Sequence, residues 1–282
     1  MSIISSLKNK TDIFFSIVSS NFAFAQKFRI AYCYIRLFIA KSIFRSKGNK
    51  KISILGFKIE TFSYQTLFFL FVEIFVNNQY YFESNTSEPV IIDCGANIGI
   101  ATLYFNYIHP HARVLSFEPD PGTFSLLKKN IETNNLKNTT AMNKAVSNTT
   151  GSMNFFNNEQ DGSPVMSAHN ERGGDKMIQV QSVRLSEIIN ESYKKVDFLK
   201  IDVEGSEGLV LEELNKNKSL TKIEKMVIEY HHNLKQTDNK LSRICEILDT
   251  NHFSYNIYNN YLKKDMYENS YQDIMIYAEK IK

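Results

Sequence analysis

The segment Val90-Ile91-Ile92-Asp93-Cys94-Gly95-Ala96-Asn97-Ile98-Gly99 constrains this chain more than any other. An apolar run enters a loop of small residues, and the loop opens onto a helix-like stretch, Ile98–Ile108, that stops before Pro110. A fully apolar strand that turns straight into a helix belongs in a parallel sheet, whose strands are buried on both faces and joined by crossovers. The alternation continues downstream. Strands are expected at Arg113–Phe117, Thr140–Val146, Val196–Ile201, Met226–Tyr230, Phe253–Tyr258 and Ile274–Ala278, with Gly151–Phe156 pairing locally. Helices are expected from Pro121 to about Asn134, from Ser206 to Leu214 and over Lys240–Leu248. Asp120 is placed to cap the first of these, with Pro121 at its first position. The pattern predicts an α/β fold with a mostly parallel sheet and helices on both faces.

The region before Pro89 reads differently. Residues 1–51 hold ten Lys or Arg and one acid, Asp12, a balance of +9, so the remainder carries −6 against the overall +3. Residues 1–50 are expected to form a basic, aromatic-rich helical extension. Its stretch Phe28–Phe44 places apolar and basic residues at helical spacing, which suits either a helix packed on the body or one lying on an anionic membrane surface. Lys27 and Arg29 interrupt the apolar run too early for a membrane span. Ser19, Ser20 and Asn21 break what a signal peptide would keep continuous. Residues 51–86 are expected to hold a strand pair around Gly56 and an apolar helix, Leu67–Val76, that carries Glu73. The main domain then spans 87–282. Three cysteines without metal-ligand spacing suit a reducing, cytoplasmic setting, with residues 1–50 as a peripheral contact to the inner face of the membrane. A mildly acidic body argues against nucleic acid as a partner.

Three segments carry chemistry. The loop after Asp93, with Gly95 and Gly99, can approach a ligand closely, and its amides open a helix N-terminus. Glu118 follows Asp93 by 25 residues, at the end of the next strand. A carboxylate there can accept from both hydroxyls of a ribose. The second segment, Asp197-Phe198-Leu199-Lys200-Ile201-Asp202-Val203-Glu204-Gly205-Ser206-Glu207, puts Asp202 and Glu204 at the carboxyl edge of a strand. The third, Ile228-Glu229-Tyr230-His231-His232, ends its neighbour. Asp202, Glu204, Glu229 and His231 can therefore meet over one cleft, where a histidine beside carboxylates can serve as a base. Asn157–Asp175 is a long polar loop placed to cover an acceptor, with a turn at Asp161-Gly162-Ser163-Pro164.

The motifs D-C-G-A-N-I-G, F-E-P-D-P, D-F-L-K-I-D-V-E-G-S-E and I-E-Y-H resemble those of the FkbM-type S-adenosylmethionine-dependent methyltransferases. Glu73-Ile74-Phe75 with Tyr80-Tyr81 resembles that family's leading helix, and the likeness covers roughly residues 70–278. The resemblance implies a Rossmann-like class I methyltransferase sheet of seven strands, the last antiparallel, behind an N-terminal helical and hairpin extension. It implies O-methylation of a hydroxyl on a sugar, glycan or natural product. Carried over by residue, Asp93, Gly95, Asn97 and Gly99 would hold the methionine part of the cofactor and Glu118 the ribose. Asn143 and Ala145 would lie near adenine, and Asp202 near the methyl sulfonium. His231 ranks first as base, then Asp202 or Glu204. Mg²⁺ at Asp202, Glu204 and His231 is the less favoured variant, with no metal preferred. Cys94 reads as a small buried filler. Two other readings remain open: a non-catalytic cofactor-binding or membrane-docked scaffold, and a nicotinamide-dependent oxidoreductase, for which the loop lacks the third glycine.

Overall fold

The computed structural model describes residues 13–44, 48–157, 166–167, 176–232, 240–259 and 272–281. The loop expected over Asn157–Asp175, with its turn at Asp161–Pro164, lies largely outside them. Residues 13–19 are helical and lead to α1 (Phe24–Ile43). The hairpin β1 (Lys50–Ile54) and β2 (Phe57–Thr61) comes next, then α2 (Tyr64–Phe71). Helix α2 passes into a π turn, Val72–Val76, where the sequence suggested one continuous α-helix. The wider turn carries Glu73 close enough to Asp202 and Asp273 for their charges to act on it. π turns are frequent at functional sites.

The body alternates as expected: β3 (Val90–Cys94), α3 (Ile100–Ile108), β4 (Arg113–Phe117), α4 (Pro121–Thr133) and β5 (Thr139–Met142). The Asp120 carboxylate accepts from the Thr123 amide at 2.7 Å and so caps α4. The stretch Thr140–Val146 is not one strand. It breaks after Met142, because the Asn143 side-chain amide donates to the carbonyls of Glu118 and Pro119 and pulls the chain off the sheet. The chain then forms β6 (Ala145–Ser147), β7 (Gly151–Asn157), β8 (Met166–Ser167) and β9 (Lys176–Arg184), a separate four-stranded sheet in the order β6-β9-β7-β8. The local pairing expected for Gly151–Phe156 is thus with β9.

After α5 (Leu185–Ser192) come β10 (Val196–Ile201), α6 (Glu207–Lys216), β11 (Ile223–His232), α7 (Leu241–Thr250), β12 (Phe253–Asn259) and β13 (Gln272–Lys280). The main sheet has seven strands in the order β5-β4-β3-β10-β11-β13-β12. Strand β13 runs antiparallel to both its neighbours, and the other pairs are parallel. One face is covered by α5, α6 and α7, with Ile189, Val210, Leu214, Ile244 and Leu248 in that core. The other is covered by α3 together with the N-terminal elements: Ile30, Cys33 and Leu37 of α1, Ile59 of β2 and Phe71 of α2 share a core with Ile91, Val114 and Phe198 of the sheet. The N-terminal extension therefore completes a layer of the fold.

Two asparagines fasten it there. On α4, the Asn130 side chain accepts from the Glu60 amide at 2.7 Å and donates to the Glu60 carbonyl at 3.0 Å. One turn on, Asn134 does the same for Lys58, at 2.8 Å each way. The free edge of β2 is thereby paired by a helix, which blunts an otherwise open strand edge. Asn130 is buried and Asn134 lies at the exposed end. Asn130→Leu is expected to cost about 1–3 kcal/mol for each backbone group left bare, whereas water can replace Asn134. Denaturant unfolding of Asn130→Leu and Asn134→Leu should therefore separate clearly, and equal losses would contradict the clamp.

Candidate active site

The carboxyl ends of β3, β4 and β10 converge on a cavity that opens in part to solvent. Its walls include Gly95, Asn97, Glu118, Ala145, Asp202 and Glu204. Val146 of β6 and Met153 and Phe155 of β7 add an apolar side. Ligands of open α/β sheets bind at this edge.

The loop after β3 spends its amides internally. Gly95 and Ala96 donate to the Phe117 carbonyl at 3.0 and 2.8 Å, and Ile98 donates to the Asn97 side chain at 2.6 Å. Asn97, at φ +52°, donates its amide to Glu118 at 2.9 Å. The other Glu118 oxygen accepts from the Asp120 amide at 2.9 Å. The group held by this loop is therefore the Glu118 carboxyl itself. Burial pushes its carboxyl up to about 8, although both amides and Lys200 act the other way. Gly95 sits at φ +81°, and a Cβ there would stand 1.8 Å from the Asp202 carbonyl oxygen. Its glycine is demanded by the neighbouring strand end. Gly99, at φ +93°, packs on the end of the Leu127 side chain, so its left-handed backbone rather than a backbone clash asks for glycine there.

Beneath the loop lies a buried charge network. The Lys200 ammonium is 3.3 Å from Asp93 and 3.2 Å from Asp202, and it donates to the Gly95 carbonyl at 2.8 Å. Burial would strip its proton, but Asp202 and Asp93 outweigh that and hold the proton more firmly than usual. Asp93 also accepts from Thr102 at 2.8 Å.

At the next strand end, His231 Nδ1 lies 2.7 Å from Glu207. Its Nε2 faces Glu204 at 3.5 Å, Asp273 at 3.7 Å and Asp202 at 3.9 Å. Burial alone would raise the Glu207 carboxyl, but the His231 charge, their hydrogen bond and the Gly205 amide bring it below its ordinary value. Glu229 accepts from the Tyr80 hydroxyl at 3.3 Å, and burial with the Asp202 charge raises it. Glu73 is pushed up to about 7, first by burial and then by Asp202 and Asp273. Glu204 itself adopts φ +57°, strained for a residue with a side chain. Among the described residues, Asp202, Glu229 and His231 bring ligand atoms within 4.8 Å of one another, the grouping that could hold a divalent cation.

Residues 93–257, more than half of the chain, match the Methyltransferase FkbM domain family. The chain belongs to this family. Methyltransferase sdnD of Sordaria araneosa is 30% identical over 173 residues, 51% of this chain and 67% of that protein. Methyltransferase 1 of Beauveria bassiana is 30% identical over 166 residues, covering 52% and 67%. The crystal structure of Methyltransferase FkbM from Methylobacillus flagellatus KT aligns with a TM-score of 0.45 at 18% identity, over 76% of this chain and 54% of that one.

In this FkbM methyltransferase the expected residues fall into two groups. Gly95, Asn97, Glu118, Ala145, Asp202 and Glu204 border the cavity. Asp93 and His231 are fully buried behind it, Gly99 packs under α4, and the Asn143 side chain braces the Glu118 loop. Sequence reasoning missed Lys200 and Glu207, the buried partners of Asp93 and His231. It also missed Met153 and Phe155, which the alternation in β7 places on one face. The methyltransferase variant Lys200→Met leaves Asp93 and Asp202 facing each other without a cation. It is expected to lose about 3–5 kcal/mol in denaturant unfolding. Adding Asp93→Asn should restore part of the loss, and a stable single variant would refute the network's role.

Proposed function

We propose that the protein transfers a methyl group from S-adenosylmethionine to a hydroxyl oxygen of a sugar, glycan or natural product. The observation that carries this reading is one cavity with the buried carboxylate of Glu118 on one side and the Asp202 and Glu204 carboxylates on the other. The donor set fits the cofactor. Glu118 suits the ribose hydroxyls, and the apolar side formed by Val146, Met153 and Phe155 suits a flat base. Asp202 and Glu204 suit the positive sulfonium. Asp93 acts from below, through Lys200, to hold the loop of Gly95, Asn97 and Gly99 in place. Asn143 and Ala145 serve the adenine corner, Asn143 by bracing the loop. When bound, the cofactor supplies a methyl group on positively charged sulfur, open to direct displacement by an oxygen nucleophile.

The chain's own task is then to orient the hydroxyl and take its proton. Asp202 and Glu204 border the cavity, while His231 is sealed behind them. The proton therefore enters at one of these carboxylates. His231, oriented by Glu207, is the positioning residue that balances their charge. Lys200 provides Asp202 with a cation, which supports a metal-independent reaction.

Calorimetric titration with S-adenosylmethionine tests the cofactor site. Ribose hydroxyls donate to the ionised form of Glu118, so below pH 8 binding must release a proton. Affinity should rise by up to about tenfold per pH unit between 6 and 8 and flatten above. Glu118→Gln should bind weakly and without that slope. A flat profile in the unaltered protein would sink the ribose assignment.

Turnover of S-adenosylmethionine against a panel of hydroxylated acceptors and their deoxy analogues tests the chemistry. Transfer should need the hydroxyl and survive EDTA. Glu204→Gln and Asp202→Asn should lower kcat by about 10²–10⁴-fold, measured at saturating cofactor so that any weaker cofactor binding is separated from the loss of chemistry. His231→Ala should lower kcat and displace the pH–rate profile. Undiminished turnover in all three would overturn the proton route.

A further inference from the structure

We infer that α1 is a docking surface for an anionic phospholipid bilayer, independent of the reading of the active site. The helix has two apolar faces. Ile30, Cys33, Leu37 and Ala40 are buried against the fold. Phe24, Phe28, Tyr32, Ile35, Ile39 and Ile43 form a second stripe, each 50–82% exposed. Their spacing of four, four, three, four and four residues keeps them on one side along the whole length of the helix. Phe14, Phe15 and Val18, just before it, are also exposed. A contiguous apolar face of this length marks an interaction site.

Charge selects the partner. At 100° per residue, Arg29 and Arg36 flank one side of the stripe and Lys27 the other, the arrangement of a helix lying in a membrane interface. Beside the stripe runs an open groove lined by Arg36, Ile39, Phe44, Lys51, Lys58 and Lys129 among others. Glu60 is the one acid in its lining, and it is already bridged by Lys51 at 2.9 Å and Lys129 at 2.8 Å. An apolar stripe continuous with a cationic groove is complementary to acyl chains below anionic headgroups. Among the described residues no helix is long and apolar enough to cross a membrane, so the helix would lie on the surface.

Co-sedimentation of the full chain with phosphatidylcholine vesicles, with and without phosphatidylglycerol, tests this at low and high salt. Binding is expected to the anionic vesicles and to fall by about tenfold or more in high salt. Phe28→Glu with Ile35→Glu should abolish it in both salts. Arg36→Gln with Lys58→Gln should weaken it by roughly fivefold per base removed and erase the lipid preference. Unchanged melting curves and unchanged S-adenosylmethionine affinity would show that the variants fold. No binding by the unaltered chain, or binding unaffected by either pair, overturns the proposal. A dimer in light scattering that Phe28→Glu with Ile35→Glu converts to monomer would assign the stripe to a second copy instead.

Discussion

The structure depends on one buried ammonium. Lys200 stands in the middle of the sheet, 2% exposed, where an unpaired charge would be untenable. It is tenable because Asp93 on the adjacent strand and Asp202 at the end of its own strand face it, with the Gly95 carbonyl completing the shell. Strands β3 and β10 are thus joined by more than their ladder. The two loops that build the site leave from these strand ends.

Close backbone approach reinforces that joint. The Asp202 amide donates to the Cys94 carbonyl at 3.1 Å, and Gly95 has no room for a side chain against the Asp202 carbonyl. The loop beside Glu118 and the loop carrying Glu204 form one rigid unit. Glu207 extends it by holding both the Gly205 amide and His231.

Much of this was legible in the residues. Arg113–Phe117 and Val196–Ile201 lie where the apolar runs place them, and Asp120 caps its helix as its position before Pro121 suggests. The acids that border the cavity sit at strand ends, where periodicity alone can locate them. Lys200 was not legible, because a charge within an apolar run reveals its burial but not its partner, and Glu207 was not, because an acid in the first turn of a helix reads as a solvated end residue. The break at Asn143 depends on carbonyls some 25 positions away in sequence, so Thr140–Val146 reads as unbroken. Strand β9 escaped for a similar reason, since its partner β7 lies across a long polar stretch. The composition of α1 suited either of two environments, and only the fold separates the face that packs from the face that does not.

Glu118 gives the site an unusual energetic character. Both its oxygens are already satisfied by the amides of Asn97 and Asp120 before any nucleoside arrives. Each oxygen keeps a second lone pair, so ribose hydroxyls can add to a carboxylate whose position the two amides have already fixed. In the proposed reading Glu118 therefore confers both tightness and discrimination among sugars. Val146, Met153 and Phe155 add to the tightness, and their desolvation on contact with a base would appear as a negative heat-capacity change.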